Sequence, residues 1–560
     1  MKKLYVTLIL FLFFSSGFLF GQNPLVKQWD KRFGGTDLDY LTCFQQTKDG
    51  GYILGGLSAS AISGDKTQAS WGGSDYWILK TDSIGNKQWD KDLGGTNYDN
   101  LYSLQQTADG GYIIGGLSAS GISGDKSQDN WDASQNTVDY WIVKTDSIGN
   151  KQWDKDFGGI SNDSFIEIQQ TSDGGYILGG SSQSGISGDK SQNVWGGAGD
   201  VDYWIVKTDS QGNKLWDKDF GGTNYDQLYS LQQTYDGGYI LGGYSFSDIS
   251  GDKTQDNWDA SGNTPDYWIL KTDSLGNKQW DKDLGGTNAD YLYSMQQTSD
   301  NGYILGGTSY SGISGDKSQA NWDTSLSTTD YWIIKTDSLC NKQWDKDFGG
   351  ANTEDFYSIF LTGGGGYLLS GDSYSPISGD KTETNLGIEQ TWVIKTDSSG
   401  NKQWDKTIFT TGHDENGLAI KTNDGCYAMA NWTIAGIGGY KTQPSWGGGD
   451  YWIIKFCDTT LTTNLTPALP KGEGVTIAPN PFTNEITITI QKHPEPSGIK
   501  QTTFIVKNIL GQTVFTFSKV PNFGKGFYGQ TLNLSFLSKG IYLLEATIDN
   551  ERIVKKIVKE

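Results

Sequence analysis

The segment KTDSIGNKQWDKDLGG at residues 80–95 returns almost unchanged at 144–159, 207–222, 271–286 and 335–350. A chain that repeats at a fixed interval folds as a row of like units, each burying its apolar face on the next. This repeat therefore limits the fold more than any other feature. The tryptophan of its QWD or LWD element stands at Trp29, Trp89, Trp153, Trp216, Trp280, Trp344 and Trp404, in steps of 60 to 64 residues. A second series, mostly in DYW, stands at Trp77, Trp141, Trp204, Trp268, Trp332, Trp392 and Trp452. Both series have seven members.

Each unit carries four strand-like runs. In the second unit they are LYSLQQT (101–107), GYIIGG (111–116), DYWIVKTD (139–146) and KQWDKDF (151–157). The runs are short, rich in Tyr, Trp, Ile and Val, and bounded by Gly, Asn, Asp or Ser. Ala108-Asp109-Gly110 and Ser147-Ile148-Gly149-Asn150 supply hairpin turns, and no run has a helical apolar period. Seven units of four antiparallel strands predict an all-β chain whose main body is a seven-bladed β-propeller, a fold that leaves only short, protected edges. The D-x-x-G-N-K-x-W hairpin resembles the tryptophan-docking repeat of quinoprotein-type propellers. That likeness implies blade geometry, with the four runs as strands A, B, C and D from the axis outward, and no quinone chemistry. The array begins on a D-type strand at 27–31 and ends on a C-type strand at 451–456, so the N-terminal strand is expected to complete the last blade and close the ring.

The D-to-A connection (94–100) and the B-to-C connection (117–138) are expected on one face, with tight hairpins on the other. The long B-to-C loops read S-x-S-x-I-S-G-D-K-x-Q and then usually a tryptophan: Trp71, Trp131, Trp195, Trp258, Trp322 and Trp446, with Leu386 in the sixth unit. Tryptophans beside Asp, Asn and Gln are candidates for stacking on sugar rings. The competing expectation is that each plugs its own loop against the next blade. The loops also carry Asp-Lys pairs such as Asp65-Lys66 and Asp125-Lys126, expected as surface ion pairs and turns. No cofactor is expected. Calcium is the one metal the loops leave open, where Asp129, Asn130, Asp132 and Asn136 gather. The only histidines are His413 and His493, so no histidine triad or multi-histidine metal site can recur with the repeat. The last two units diverge most, at 362–366 and 408–417, and any unique site belongs there.

Residues 1–21 have the layout of a signal peptide: Lys2 and Lys3, an apolar run at 4–14, then Ser15, Ser16 and Gly17. Cleavage is expected between Gly21 and Gln22, leaving no integral membrane segment. A net charge of −21 argues against nucleic acid and anionic surfaces as partners. Cys43, Cys340, Cys426 and Cys457 lack the recurring spacing of a disulfide framework. Cys426 and Cys457 fall on B- and C-type strands of the last unit, where a pair and two free thiols both remain open.

After a Thr-, Pro- and Gly-rich linker at 458–474 come seven short strand-like runs, at 475–479, 485–490, 502–509, 514–519, 530–534, 541–548 and 552–558. They predict a small Ig-like β-sandwich at 475–560. This segment contains Ala478-Pro479-Asn480-Pro481-Phe482, then Asn508-Ile509-Leu510-Gly511-Gln512-Thr513-Val514, then Leu537-Ser538-Lys539-Gly540-Ile541-Tyr542. On these motifs it resembles the type A C-terminal sorting domain of the Bacteroidetes type IX secretion system. The resemblance implies the type IX machinery as a partner and a destination outside the cell or on its surface. The expected domains are thus 1–21 signal peptide, 22–457 propeller, 458–474 linker and 475–560 sorting domain. The expected role is a binding or adhesion module for surface glycans or proteins. A secreted polysaccharide-active enzyme with its site in the divergent blades, and a purely structural surface protein, are the alternatives.

Overall fold

The computed structural model describes residues 25–458, apart from 198 and 260, and in the C-terminal part 474–478, 483–491, 502–508, 513–519, 527–538, 540–548 and 551–559. The expected signal peptide with Gly21 and Gln22, most of the linker, and Pro479, Asn480, Pro481, Gly511, Gln512 and Lys539 lie outside the described residues. The chain divides into two compact units, Met1–Cys457 and Asp458–Glu560.

Among the described residues of the first unit every regular element is a strand. β1 (Leu25–Phe33) precedes a first sheet of β2 (Asp39–Gln46), β3 (Tyr52–Ser58), β4 (Asp75–Thr81) and β5 (Lys87–Leu93). Five more sheets follow in the same order: β6–β9 (99–157), β10–β13 (163–220), β14–β17 (226–284), β18–β21 (290–348) and β22–β25 (354–408). The seventh joins β26 (Asp414–Lys421), β27 (Tyr427–Thr433) and β28 (Asp450–Asp458) to β1, in the order β1-β28-β27-β26. The two ends of the array thus share one sheet. These are seven four-stranded antiparallel blades, with strands A to D in chain order in the first six and β1 supplying strand D of the seventh.

Burial follows position in the blade. All seven residues of a strand C such as Asp139–Thr145 are buried, because B and D flank it and other blades cover both faces. Strand D (Lys151–Phe157) is an edge, half exposed at its start. The apolar core lies in the seams. Ile53, Tyr76 and Ile78 of the first blade pack on Leu101, Tyr112, Trp141 and Val143 of the second. Ala428, Ala430, Tyr451 and Ile453 of the last pack on Leu41, Leu54 and Trp77 of the first. Each fully buried tryptophan or leucine stabilises its seam by roughly 2–3 kcal/mol.

The strand C tyrosine is a repeated stitch between blades. Tyr76 Oη donates to the Trp141 carbonyl at 2.9 Å, and Tyr140 Oη to Trp204 at 3.1 Å. The series ends with Tyr451 Oη donating to Trp77 of the first blade at 3.0 Å. The stitch explains the Gly-Gly pair, which stands inside strand B and not at its end as the sequence suggests. A Cβ on Gly56 would come within 2.0 Å of the Tyr40 carbonyl and 2.8 Å of Tyr451 Oη.

The second unit holds a three-stranded sheet, β29 (Gly474–Ala478), β30 (Glu485–Gln491) and β33 (Phe527–Asn533), and a four-stranded one. The latter contains β32 (Thr513–Lys519), β31 (Thr502–Asn508), β34 (Gly540–Ile548) and β35 (Glu551–Lys559). Ile486, Ile488 and Leu532 of one sheet share a core with Phe504, Val506, Leu544 and Ile557 of the other. Tyr542 is buried there, and its hydroxyl donates to the Ser538 carbonyl at 2.9 Å. No helix among the described residues is long and apolar enough to cross a membrane.

Candidate functional site

The D-to-A and B-to-C connections interlock on one face. The Asp125 N–H donates to the Gly94 carbonyl, and the Thr96 N–H to Ser123 Oγ. Within the S-G-D-K-S-Q motif of this loop every letter has a task. Ser123 holds the D-to-A connection. Gly124, at φ +54°, lets the Trp71 ring close in to 2.9 Å of where a Cβ would stand. Asp125 accepts from Trp71 Nε1 at 3.2 Å. Lys126 pairs with Asp156. Ser127 bonds Asp154 through both N–H and Oγ at 2.8 Å. Gln128 Oε1 accepts from the Asp156 N–H at 3.0 Å.

The six loop tryptophans are therefore clasps between neighbouring blades. Trp131 Nε1 donates to Asp189 at 2.8 Å, Trp195 to Asp252 at 2.9 Å, Trp258 to Asp316 at 3.0 Å, Trp322 to Asp380 at 2.8 Å, and Trp446 to Asp65 at 3.2 Å. Arg32 stacks on Trp446 and pairs with the same Asp65. The other half of each indole stays in solvent, between 48% (Trp131) and 59% (Trp71) of its surface. Beside Trp131 a groove of about 250 Å³ is lined by Gln128, Asp129, Asn213 and Lys214. An equivalent groove of about 500 Å³ beside Trp258 is lined by Gln255, Asp256, Asn341 and Lys342. The tryptophans thus have a plugged edge and an open face.

Two loop expectations are corrected. The lysines of the Asp-Lys pairs are not surface groups: Lys66 is buried, and its partner is Asp92 of strand D at 2.5 Å rather than the adjacent Asp65. A lysine ion can stand there because a carboxylate meets it. The four residues considered for calcium do not converge. Asp129 accepts from the Ile122 N–H, Asn130 donates to the Ser118 carbonyl, and Asp132 closes a turn with Ser134 and Asn136. Of the cysteines, Cys426 and Cys457 form a disulfide, while Cys43 and Cys340 are free. Burial pushes both free thiols up to about 12, so they are poor nucleophiles.

The divergent blades hold a cluster that the sequence pointed to only by region. Glu389, just before β24 (Gln390–Thr396), meets His413 and Glu415 from the start of β26. His413 Nε2 stands 2.7 Å from Glu415 Oε1 and 3.4 Å from Glu389 Oε2. Tyr374 Oη donates to Glu389 Oε2 at 2.6 Å, and Tyr40 Oη to Glu415 Oε2 at 3.3 Å. Burial, with Glu415 and Asp355 nearby, holds the Glu389 carboxyl above the usual range against the opposing pull of Tyr374 and His413. A column-by-column alignment of the units finds these residues. Where Glu389 stands, the other units have Ser74, Val138, Val201, Pro265, Thr329 and Gly449. Where His413 stands, they have Leu38, Tyr98, Asn162, Tyr225, Ala289 and Thr353.

Residues 476–560 match the family model of the secretion system C-terminal sorting domain. Among curated proteins, the regulatory protein FlaEY of Caulobacter vibrioides is 28% identical over 186 residues, which is 32% of this chain and 19% of that protein. This chain thus spans about a fifth of that relative's length. Among solved structures, a fungal alcohol oxidase of the AA5 family, in complex with copper, covers 96% of this chain and 100% of its own at 11% identity and a TM-score of 0.41. A Synechocystis apocarotenoid oxygenase covers 76% and 95% at 10% identity and a TM-score of 0.36. Scores this low carry neither fold nor chemistry across. The tail is the informative match: this is a secreted or cell-surface protein carrying a C-terminal sorting domain of the type IX secretion system.

Proposed function

We propose that the propeller is a multivalent binding module for polyhydroxylated ligands, glycans above all, displayed outside the cell. The observation that carries this reading is the seam groove. A half-open indole, immobilised by its bond to the next blade, stands beside Asp, Asn, Gln and Lys at the edge of a concavity. An aromatic face takes the apolar face of a sugar ring, and the flanking groups take its hydroxyls. Because the indole is already fixed, little side-chain entropy is lost on binding. Six such tryptophans on one face favour avidity over strong single sites. The charge of −21 favours neutral or amino-sugar polymers over polyanions.

The test is a glycan array probed with the labelled full chain, followed by titration of the hits. The triple variant Trp131→Ala/Trp258→Ala/Trp322→Ala should lose at least about tenfold in apparent affinity, and each single variant less. Binding untouched by the triple variant, or no glycan retained, overturns the reading.

A second reading, a polysaccharide-active enzyme, draws on Glu389 and Glu415 in the divergent blades. Glu389, held above the usual carboxylate range, suits a general acid. Turnover of an array hit abolished by Glu389→Gln would favour it.

A further inference from the structure

The sevenfold pattern separates side chains the blade needs from those it does not. Glu389 and His413 match no other unit at their positions, at the position of Glu415 only the sixth unit has another acid (Asp355), and blades without the three fold identically. Their ligand atoms all lie within 4.8 Å of one another. Glu389 is only 2% exposed, whereas His413 and Glu415 are half-buried, so the cluster has a closed floor and a side open to solvent. Tyr374 and Tyr40 each donate to one glutamate, and the edge of Trp432 lies against the His413 ring at 5.9 Å. These contacts fix the orientation of the imidazole and of two glutamates whose mutual approach is otherwise repulsive.

The charge around them is uncompensated. In each of the first five blades a buried lysine answers a buried strand D aspartate. Among the described residues no lysine or arginine forms an ion pair with Glu389 or Glu415. Beneath them lies Asp372, fully buried, whose Oδ2 has no hydrogen-bond partner. Its charged neighbours are Glu389, Asp414 and Asp355. At its position in strand B the other units place Leu57, Leu117, Ser181, Tyr244, Thr308 and Trp432. An extra buried carboxylate beside Glu389 adds acidic character that a cation would offset.

We infer that Glu389, His413 and Glu415 bind one first-row divalent metal ion, with zinc the best match. His413 supplies Nε2 and each glutamate one oxygen. A mixed imidazole and carboxylate set suits zinc or manganese better than calcium, which prefers oxygen alone. The ion takes the place of the hydrogen bond between His413 Nε2 and Glu415 Oε1. Three protein ligands leave a coordination position toward solvent, for water or an oxygen of a bound molecule. This inference is independent of the seam grooves, and either can fail without the other.

The test uses the full chain after chelator treatment, titrated calorimetrically with zinc, manganese or calcium chloride alone. Zinc should bind at one ion per chain and more tightly than calcium. His413→Ala and Glu415→Gln should each weaken zinc at least about tenfold. With only two histidines in the chain, histidine-selective carbon-13 labelling gives two imidazole signals, one of which should shift on zinc addition and be missing from His413→Ala. Glu415→Gln, at a half-buried position, guards against misfolding, checked by an unchanged melting temperature of the metal-free form. Zinc binding undiminished in both variants, calcium binding tighter than zinc, or an unmoved His413 signal would each overturn the assignment.

Discussion

Blades one to five and blades six to seven share one backbone plan and differ in how their loops are locked. In the first five, a buried lysine of the loop meets a buried strand D aspartate, as Lys66 meets Asp92, and a tryptophan clasps the aspartate of the next loop. In the sixth, Lys381 finds Thr407, and Leu386 stands where the clasp tryptophan would be. The seventh has lost the matching aspartate, with Tyr440 in its place, its ring tilted against Phe409 at 4.5 Å. Both halves of the clasp are gone from the same seam. The contrast teaches that the polar locks are additions to an apolar seam that holds without them. Where they are given up, the chain places the one cluster of histidine and carboxylates among the described residues.

The lysine lock offers the largest test. Lys66→Met leaves Asp92 buried without its cation and should cost about 3–5 kcal/mol in calorimetric unfolding at pH 7.5. Lys381→Met removes a bond to a hydroxyl and a cation–π contact with Trp392, with no buried carboxylate left unpaired, and should cost about 1–2 kcal/mol. Equal losses would mean that the lock contributes nothing specific to the regular blades.

The pH profile should show the same division. Burial, reinforced by neighbouring aspartates, raises Asp75 to about 8 and Asp266 to about 9, and burial raises Asp163 and Asp202 to about 7. A carboxyl whose folded pKa is raised contributes stability that is full below its unfolded value near 4 and is lost as pH climbs through the folded value. The melting temperature should therefore fall from pH 5 to pH 9. Asp266→Asn should flatten the alkaline limb. In the sixth blade the matching position is already Gln390, and its hydrogen bonds to Asp414 and the Gly412 carbonyl serve without titrating. A profile that rises with pH would refute this account.

The smallest effect belongs to the clasp. Trp322→Ala loses a charge-assisted bond and half an indole of packing, and should cost about 1–2 kcal/mol. Leu386→Ala, exposed and unclasped, should change stability by less than about 0.5 kcal/mol in chemical denaturation. If both cost the same, the tryptophans serve only their open faces.

Much of this was legible from residues. The seven strand runs of the C-terminal domain match the observed strands to within a few residues, because period-two apolar runs between turn signals leave little choice. Four runs per unit gave the blades for the same reason. The site was less legible. The loop tryptophans stand out in sequence, but an indole's partner on the next blade lies 54 to 58 residues ahead in the first five blades and 381 away for Trp446, beyond the reach of local patterning. The Asp-Lys neighbours looked like surface pairs because adjacency in sequence hides that the aspartate serves the seam with the neighbouring blade and the lysine serves strand D of its own blade.

The repeat settled the strand count and the blade as the unit, and the C-terminal motifs settled the destination of the chain, since local hydrophobic alternation and contiguous sorting motifs are properties of neighbouring residues. Only the tertiary structure decided which lysine meets which aspartate, that Cys426 bonds Cys457, and that Glu389 faces His413 and Glu415. Those contacts join separate strands and loops, and their energies depend on burial and distance, which exist only once the blades have packed.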